Sequence, residues 1–123
     1  MEQPVAAALE GTWQIVKAEL AGDEMPAFVA EKIEVELAAG TYTVRFAGDV
    51  ADRGTYALEA VGKLKVMLLT GLEGSNVGRT IPAIYQLTSD RLRVCYGLDG
   101  FVPHAFAMVA GQQRYLAMYR RKT

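Results

Sequence analysis

The chain is poor in reactive side chains, with one cysteine, one histidine and one tryptophan among 123 residues. A lone Cys95 excludes an internal disulfide. That fits a cytoplasmic protein, or a periplasmic or extracellular one if a signal peptide has been removed. Cys95 and His104 together cannot furnish a standard structural zinc shell. Met1-Glu2-Gln3-Pro4 lacks a basic region, and Glu10 interrupts the short apolar run after it, so no secretion signal is read at this start. No stretch approaches the roughly 20 apolar residues of a membrane helix. Charge of one sign is missing too: 13 Lys and Arg against 14 Asp and Glu leave a net charge of -1. That balance gives no footprint for a polyanion, and no nucleic-acid partner is expected.

What is present is an ordinary globular balance, 51% hydrophobic and 22% charged. It suits a single domain over residues 1–123 with its own core. The dominant pattern is short alternation of period two. Gly11 to Glu19 is the first strand, with Trp13 and Ile15 on one face and Gln14, Val16 and Ala18 on the other. Lys32 to Leu37 places Ile33, Val35 and Leu37 inward, and Thr41 to Phe46 does the same with Tyr42, Val44 and Phe46. Val50 to Glu59 aligns Tyr56 with Leu58. Lys63 to Thr70 carries Leu64, Val66 and Leu68 against Met67 and Leu69. Both faces are apolar near its end, so a covering segment outside is expected. Ala83 to Thr88 pairs with Arg91 to Leu98 through Ser89-Asp90. Phe101 to Val109 reads as a weaker strand, and Arg114 to Lys122 as the last.

The links are short and rich in turn residues: Ala21-Gly22-Asp23, Ala38-Ala39-Gly40, Ala47-Gly48-Asp49, Asp99-Gly100 and Gly111-Gln112-Gln113. Residues 71–78 form the longest loop, read as a flap beside an opening. Pro82 calls for an edge or strand-start position. Val5 to Glu10 is a helical turn or an extended lead-in. Met25 to Val29 is a short helix capping the mouth or an irregular crossing. No long helical pattern competes. The expected fold is all-β, an up-and-down antiparallel barrel of about eight strands, whose closure removes exposed edges. Such an interior holds packed side chains or one small ligand.

Several phrases carry a family likeness: Leu9-Glu10-Gly11-Thr12-Trp13-Gln14-Ile15-Val16, Tyr42-Thr43-Val44, Gly54-Thr55-Tyr56, Ile84 through Tyr96, and Tyr119-Arg120-Arg121-Lys122. Over nearly its whole length the chain resembles a bacterial lipocalin-like group first recognised in Planctomycetes, which has no settled activity. The resemblance implies a lipocalin-like barrel in which Gly11 and Trp13 sit at the closed end. It further implies that a basic residue of the last strand, Arg121 or Arg120, covers the indole. A guanidinium on an indole face contributes about 0.5–2 kcal/mol and would tie the first strand to the last. The chain is shorter than a typical extracellular lipocalin and shows no long C-terminal helix, which implies a small cavity or one filled by its own tyrosines.

No motif establishes a reaction, and no cofactor is indicated. His104 is the natural acid–base group near neutral pH, set against an ordinary pocket-donor, loop or surface role. Cys95 lies on the face opposite Val94 and Tyr96, outside or under a cover, and shares that face with Arg93. An inert structural thiol is the plainer reading, against a nucleophile activated by Arg93. Asp49, Asp52, Arg53 and Asp99 read as turn residues. The glycines of the 71–78 loop do not make a phosphate loop. Tyr42, Tyr56, Tyr85, Tyr96, Tyr115 and Tyr119 recur on strands and together can offer hydroxyls within an apolar wall.

The expected function is binding of a small, partly apolar or aromatic molecule in the barrel. Tyr42, Tyr56, Tyr85, Tyr96, His104 and Met118 are the contact candidates, beside Trp13, Ile33, Val35, Val44, Leu68 and Val94. One alternative is a small barrel enzyme using His104 and tyrosines for proton transfer. Another is a filled barrel acting through protein contacts. A monomer or weak homodimer is expected.

Overall fold

The computed structural model describes residues 5–106 and 113–122. In chain order the elements are α1 (Val5–Leu9), β1 (Gly11–Leu20), β2 (Asp23–Glu24), α2 (Ala27–Ala30), β3 (Ile33–Ala38), β4 (Thr41–Phe46), β5 (Asp49–Val61), β6 (Leu64–Gly74), β7 (Thr80–Thr88), β8 (Arg91–Gly97) and β9 (Arg114–Arg121). From β3 onward each strand pairs antiparallel with its successor. β1 pairs with β3 on one side and β9 on the other, which closes the sheet. The result is the expected lipocalin-like architecture, an up-and-down barrel of β1 and β3 to β9. β2 is a two-residue appendage at the far end of β1.

The turns follow from local chemistry. Ala21, Ala39 and Ala47 have φ of 50°, 51° and 52°, and each precedes a glycine that is also left-handed. Two consecutive positive φ values give the primed turn whose twist matches that of paired strands.

Strict alternation fails in β1. Ile15 faces Tyr119 and Lys17 faces Met118, so Val16 is an extra residue with no partner in β9. This bulge resets the phase. Val16 is 55% exposed, while Ala18, expected on the outer face with it, is buried in the core. Further bulges leave Ala51 unpaired between Val44 and Arg45 of β4, and Leu72 unpaired between Arg53 and Gly54 of β5. β6 also runs on to Gly74, so the glycine-rich link is shorter than the sequence suggests. Pro82 sits inside β7, but the ladder to β8 begins only at Ala83. Pro82 therefore has a paired strand on one flank only.

Two apolar clusters result. The larger fills the barrel and includes Leu9, Trp13, Leu37, Tyr56, Met67, Leu69, Tyr85, Val94 and Ala117. The second lies on the outer wall, where Val66, Ile84, Cys95 and Leu116 are buried against Leu64, Leu68, Val102 and Phe106. Leu68, expected as interior wall, thus belongs to the outer face, and Met67 and Leu69 point in. The covering segment is the stretch that the sequence suggested as a weak strand. Its described part, Phe101 to Phe106, is not a strand. Ala107 to Val109 and the turn expected at Gly111-Gln112 fall outside the described residues.

The two barrel ends differ. One is plugged by α1, with Leu9 and Trp13 fully buried. The other carries α2, which realises the capping-helix reading of Met25 to Val29. Ala30 of α2 packs into the core, and Gln14 Nε2 donates to Ala30 O at 3.2 Å and Ile33 O at 3.1 Å. Exposed Leu20, Phe28, Phe46, Val50, Leu72, Val77 and Phe101 all lie on strand ends or connections of this open end.

Candidate functional site

The closed end shows how the barrel is sealed. Trp13 Nε1 donates to Leu9 O at 2.9 Å, which satisfies the indole in a dry setting. Arg121 lies over the indole with its guanidinium carbon 4.3 Å from the ring centroid. Its Nη1 donates to Glu10 O at 2.8 Å and its Nη2 to Ala8 O at 2.7 Å. Gly11 has φ 131°, and a Cβ there would stand 2.9 Å from Arg121 Nη1. The backbone angle is what calls for glycine, while the second contact would displace the end of the Arg121 side chain. Arg120, the other candidate, is exposed, because its neighbours on β9 alternate the other way. This end is structural.

Towards the open end the interior is not filled. A cavity of about 250 Å³ is bounded by Ile33, Val35, Tyr42 and Val44 from β3 and β4, and by Ala51 and Asp52 from β5. Leu69 of β6, Ile81 of β7, and Tyr96, Tyr115 and Tyr119 of β8 and β9 complete the wall. Leu98 and the link residues Ser75 and Asn76 stand at its edge. For scale, a dry cavity of roughly 150 Å³ takes benzene.

The aromatic side is a connected set. Tyr96 and Tyr119 share a hydroxyl hydrogen bond of 2.9 Å. The rings of Tyr96 and Tyr115 stack with centroids 5.4 Å apart at 23°. Burial pushes the Tyr115 phenol up to about 12. It also pushes Tyr96 and Tyr119 upward, although their mutual hydrogen bond lowers the first and raises the second. Near neutral pH these phenols stay protonated and serve as neutral donors and acceptors rather than bases.

The acidic side is Asp52, 8% exposed. Its Oδ2 accepts from Asn76 Nδ2 at 2.7 Å, while Oδ1 is buried with no hydrogen-bond partner among the described residues. The Tyr42 phenol lies near the same carboxylate. Burial first, then Asp52's charge and hydrogen bonding, push it up to about 12. The link bearing Asn76 is tied down by its backbone. Gly71 N donates to Arg79 O at 2.9 Å, Gly78 N to Gly71 O at 3.0 Å and Arg79 N to Asn76 O at 3.0 Å. A closed turn, not an open flap, presents Asn76 to Asp52. Tyr42 is positioned by Gly54, its partner across the β4–β5 ladder. A Cβ on Gly54 would come 2.8 Å from Tyr42 Cε1 and 2.0 Å from Thr70 O.

The expected contact residues divide. Tyr42 and Tyr96 line the cavity, as do Ile33, Val35 and Val44. Tyr56 and Tyr85 are buried in the filled part of the interior and are not part of its wall. Burial raises both phenols, helped by the Glu10 charge for Tyr56 and by Tyr56 for Tyr85. Met118 lies on the outer face beside Val16, because inward parity on β9 belongs to Tyr115, Ala117 and Tyr119. His104 is outside the barrel, in a small recess with Asp99, Phe101, Val102 and Arg114. His104 is not among the residues that line the cavity, so the proton-transfer reading loses its shared chamber with the tyrosines there. Asp52, expected in a turn, lies on β5 in the cavity wall. Counting back from Tyr56 by twos through Gly54 gives it inward parity, and that was the available signal. Asn76 left no such trace.

Among the described residues, no group of three or more His, Cys, Asp or Glu side chains could hold a metal ion. Nor is any helix there long and apolar enough to cross a membrane. No family model matches the chain, and no match was found among curated proteins or solved structures.

Proposed function

We propose that this protein is a lipocalin-like binder of a small, partly apolar molecule about the size of one substituted ring. The observation that carries the reading is the cavity of about 250 Å³ between the tyrosine set and Asp52. Its wall combines aliphatic side chains and tyrosine rings with the tyrosine hydroxyls, Asp52, Ser75 and Asn76, a mixture suited to a small, partly apolar ligand. Burying apolar ligand surface contributes roughly 25 cal/mol per Å² before the cost of immobilisation. The tyrosine hydroxyls then fix orientation. The exposed apolar residues around the open end give such a ligand an unrepelled approach.

The test is native mass spectrometry of protein taken gently from its source cells, followed by denaturing release. It is paired with NMR titration of the purified chain with benzyl alcohol. Retained cargo, or shifts confined to Tyr42, Tyr96, Tyr115 and Tyr119, is the expected result. No cargo and no shift at these residues would refute the reading.

A further inference from the structure

Asp52 is the only charged side chain among the described residues lining the cavity. It is also the least completed. One carboxylate oxygen is used by Asn76, and the other is buried with no close hydrogen-bond partner among the described residues, the Tyr42 phenol lying nearby. A buried carboxylate is tolerated when charge and hydrogen bonds compensate it, and here the protein supplies a single neutral amide and the nearby Tyr42 phenol. Neither cancels the charge. The missing component is a donor that also carries positive charge.

We propose that the ligand is a small ring-bearing primary or secondary amine, whose ammonium group binds Asp52 Oδ1 while its ring lies among the tyrosines. The proposal rests on the cavity-binding reading above and names the chemical class. Ammonium supplies several N–H donors, and charge-assisted bonds to a carboxylate are about twice as strong as neutral ones. Tyrosine faces add attraction for the cation at short range. A neutral alcohol that donates to this carboxylate leaves the charge in place. A carboxylate ligand meets like charge at the one acidic wall, with no Lys or Arg in the lining to offset it.

The experiment compares benzylamine, benzyl alcohol and benzoate by calorimetry on the full chain at neutral pH. Benzylamine is expected to bind about ten-fold or more tighter than benzyl alcohol, in line with charge assistance in a desolvated site. Benzoate is expected to be weakest. Asp52→Asn should abolish the preference for benzylamine over benzyl alcohol. Asn76→Ala should keep the preference for the amine, since it removes a competing donor. A second readout needs no variant: saturating benzylamine should lower the Tyr42 phenol pKa, because Asp52's charge is then compensated.

Equal affinity for benzylamine and benzyl alcohol in the unaltered protein overturns the amine assignment and leaves the cavity reading standing. So does an unchanged benzylamine affinity in folded Asp52→Asn. Failure of all three compounds to bind overturns both.

Discussion

Arg121 and Trp13 join the last strand of the barrel to the first: the guanidinium covers the indole and donates to two backbone carbonyls at the end of α1. One side chain therefore seals the β1–β9 seam and holds the plug. Arg121→Ala is expected to destabilise the fold by about 2–4 kcal/mol, from the cation–π contact and two charge-assisted bonds. Chemical denaturation followed by fluorescence of the single tryptophan reports it directly. Arg120→Ala, at an exposed position, is expected to stay within about 0.5 kcal/mol of the parent. Equal losses at the two positions would contradict the assignment.

Gly54 is the support of the site rather than part of its wall. Gly54→Ala drives a methyl into Thr70 O and the Tyr42 ring. Overpacking of this kind costs about 1–3 kcal/mol. The Tyr42 resonances should shift, and ligand affinity should fall with stability. A variant with unchanged melting temperature and unchanged Tyr42 signals would show that the ladder is looser than described.

All six tyrosines have raised phenol pKa values, each led by burial. The folded state keeps these protons to higher pH than the unfolded chain, so the unfolded chain releases them first. Their contribution to stability is intact below the ordinary value of 10.0 and is lost as pH climbs toward 12 and beyond. Tyrosinate absorbance and circular dichroism should therefore change together in one steep alkaline transition. Smooth titration of the phenols near pH 10.0 in a chain that stays folded would refute this.

Cys95 is buried beneath Val102 and Phe106, and Arg93 lies over the Phe106 ring at 4.0 Å. Thiol reagents should modify it only through local opening. Phe106→Ala is expected to raise the modification rate about ten-fold by weakening the cover, without disturbing ligand binding inside the barrel. Rapid modification of the unaltered protein would show that the cover is not seated as described.

The sequence announced the barrel through means that act locally. Alternation marked β3, β4, β7 and β8, the Ala-Gly pairs marked turns, and two apolar faces near Met67 signalled an outside cover. The pairing of Trp13 with Arg121 or Arg120 was implied only by the family resemblance, and the structure places Arg121 over the indole. The bulges at Val16, Ala51 and Leu72 were not, because an extra residue shifts the phase of a strand without any residue type that demands it. Strict alternation therefore puts Ala18 on the wrong face, and the run Asp49 to Asp52 imitates a turn. Met118 failed differently: Arg114 through Arg121 is apolar enough on both faces that only pairing fixes its parity. His104 lies on a segment whose path is set by the outer cluster, a tertiary effect that no local pattern encodes.

The seam between β1 and β9 has a bearing on how the protein is made. During synthesis, β1 emerges first among the strands and can pair with β3 early, yet its other flank must wait until β9 has left the ribosome. Until then the nascent sheet has two open margins and an uncovered indole. The cavity is equally incomplete, because Tyr115 and Tyr119 arrive with that same strand. The chamber should thus close abruptly, once β9 joins β1.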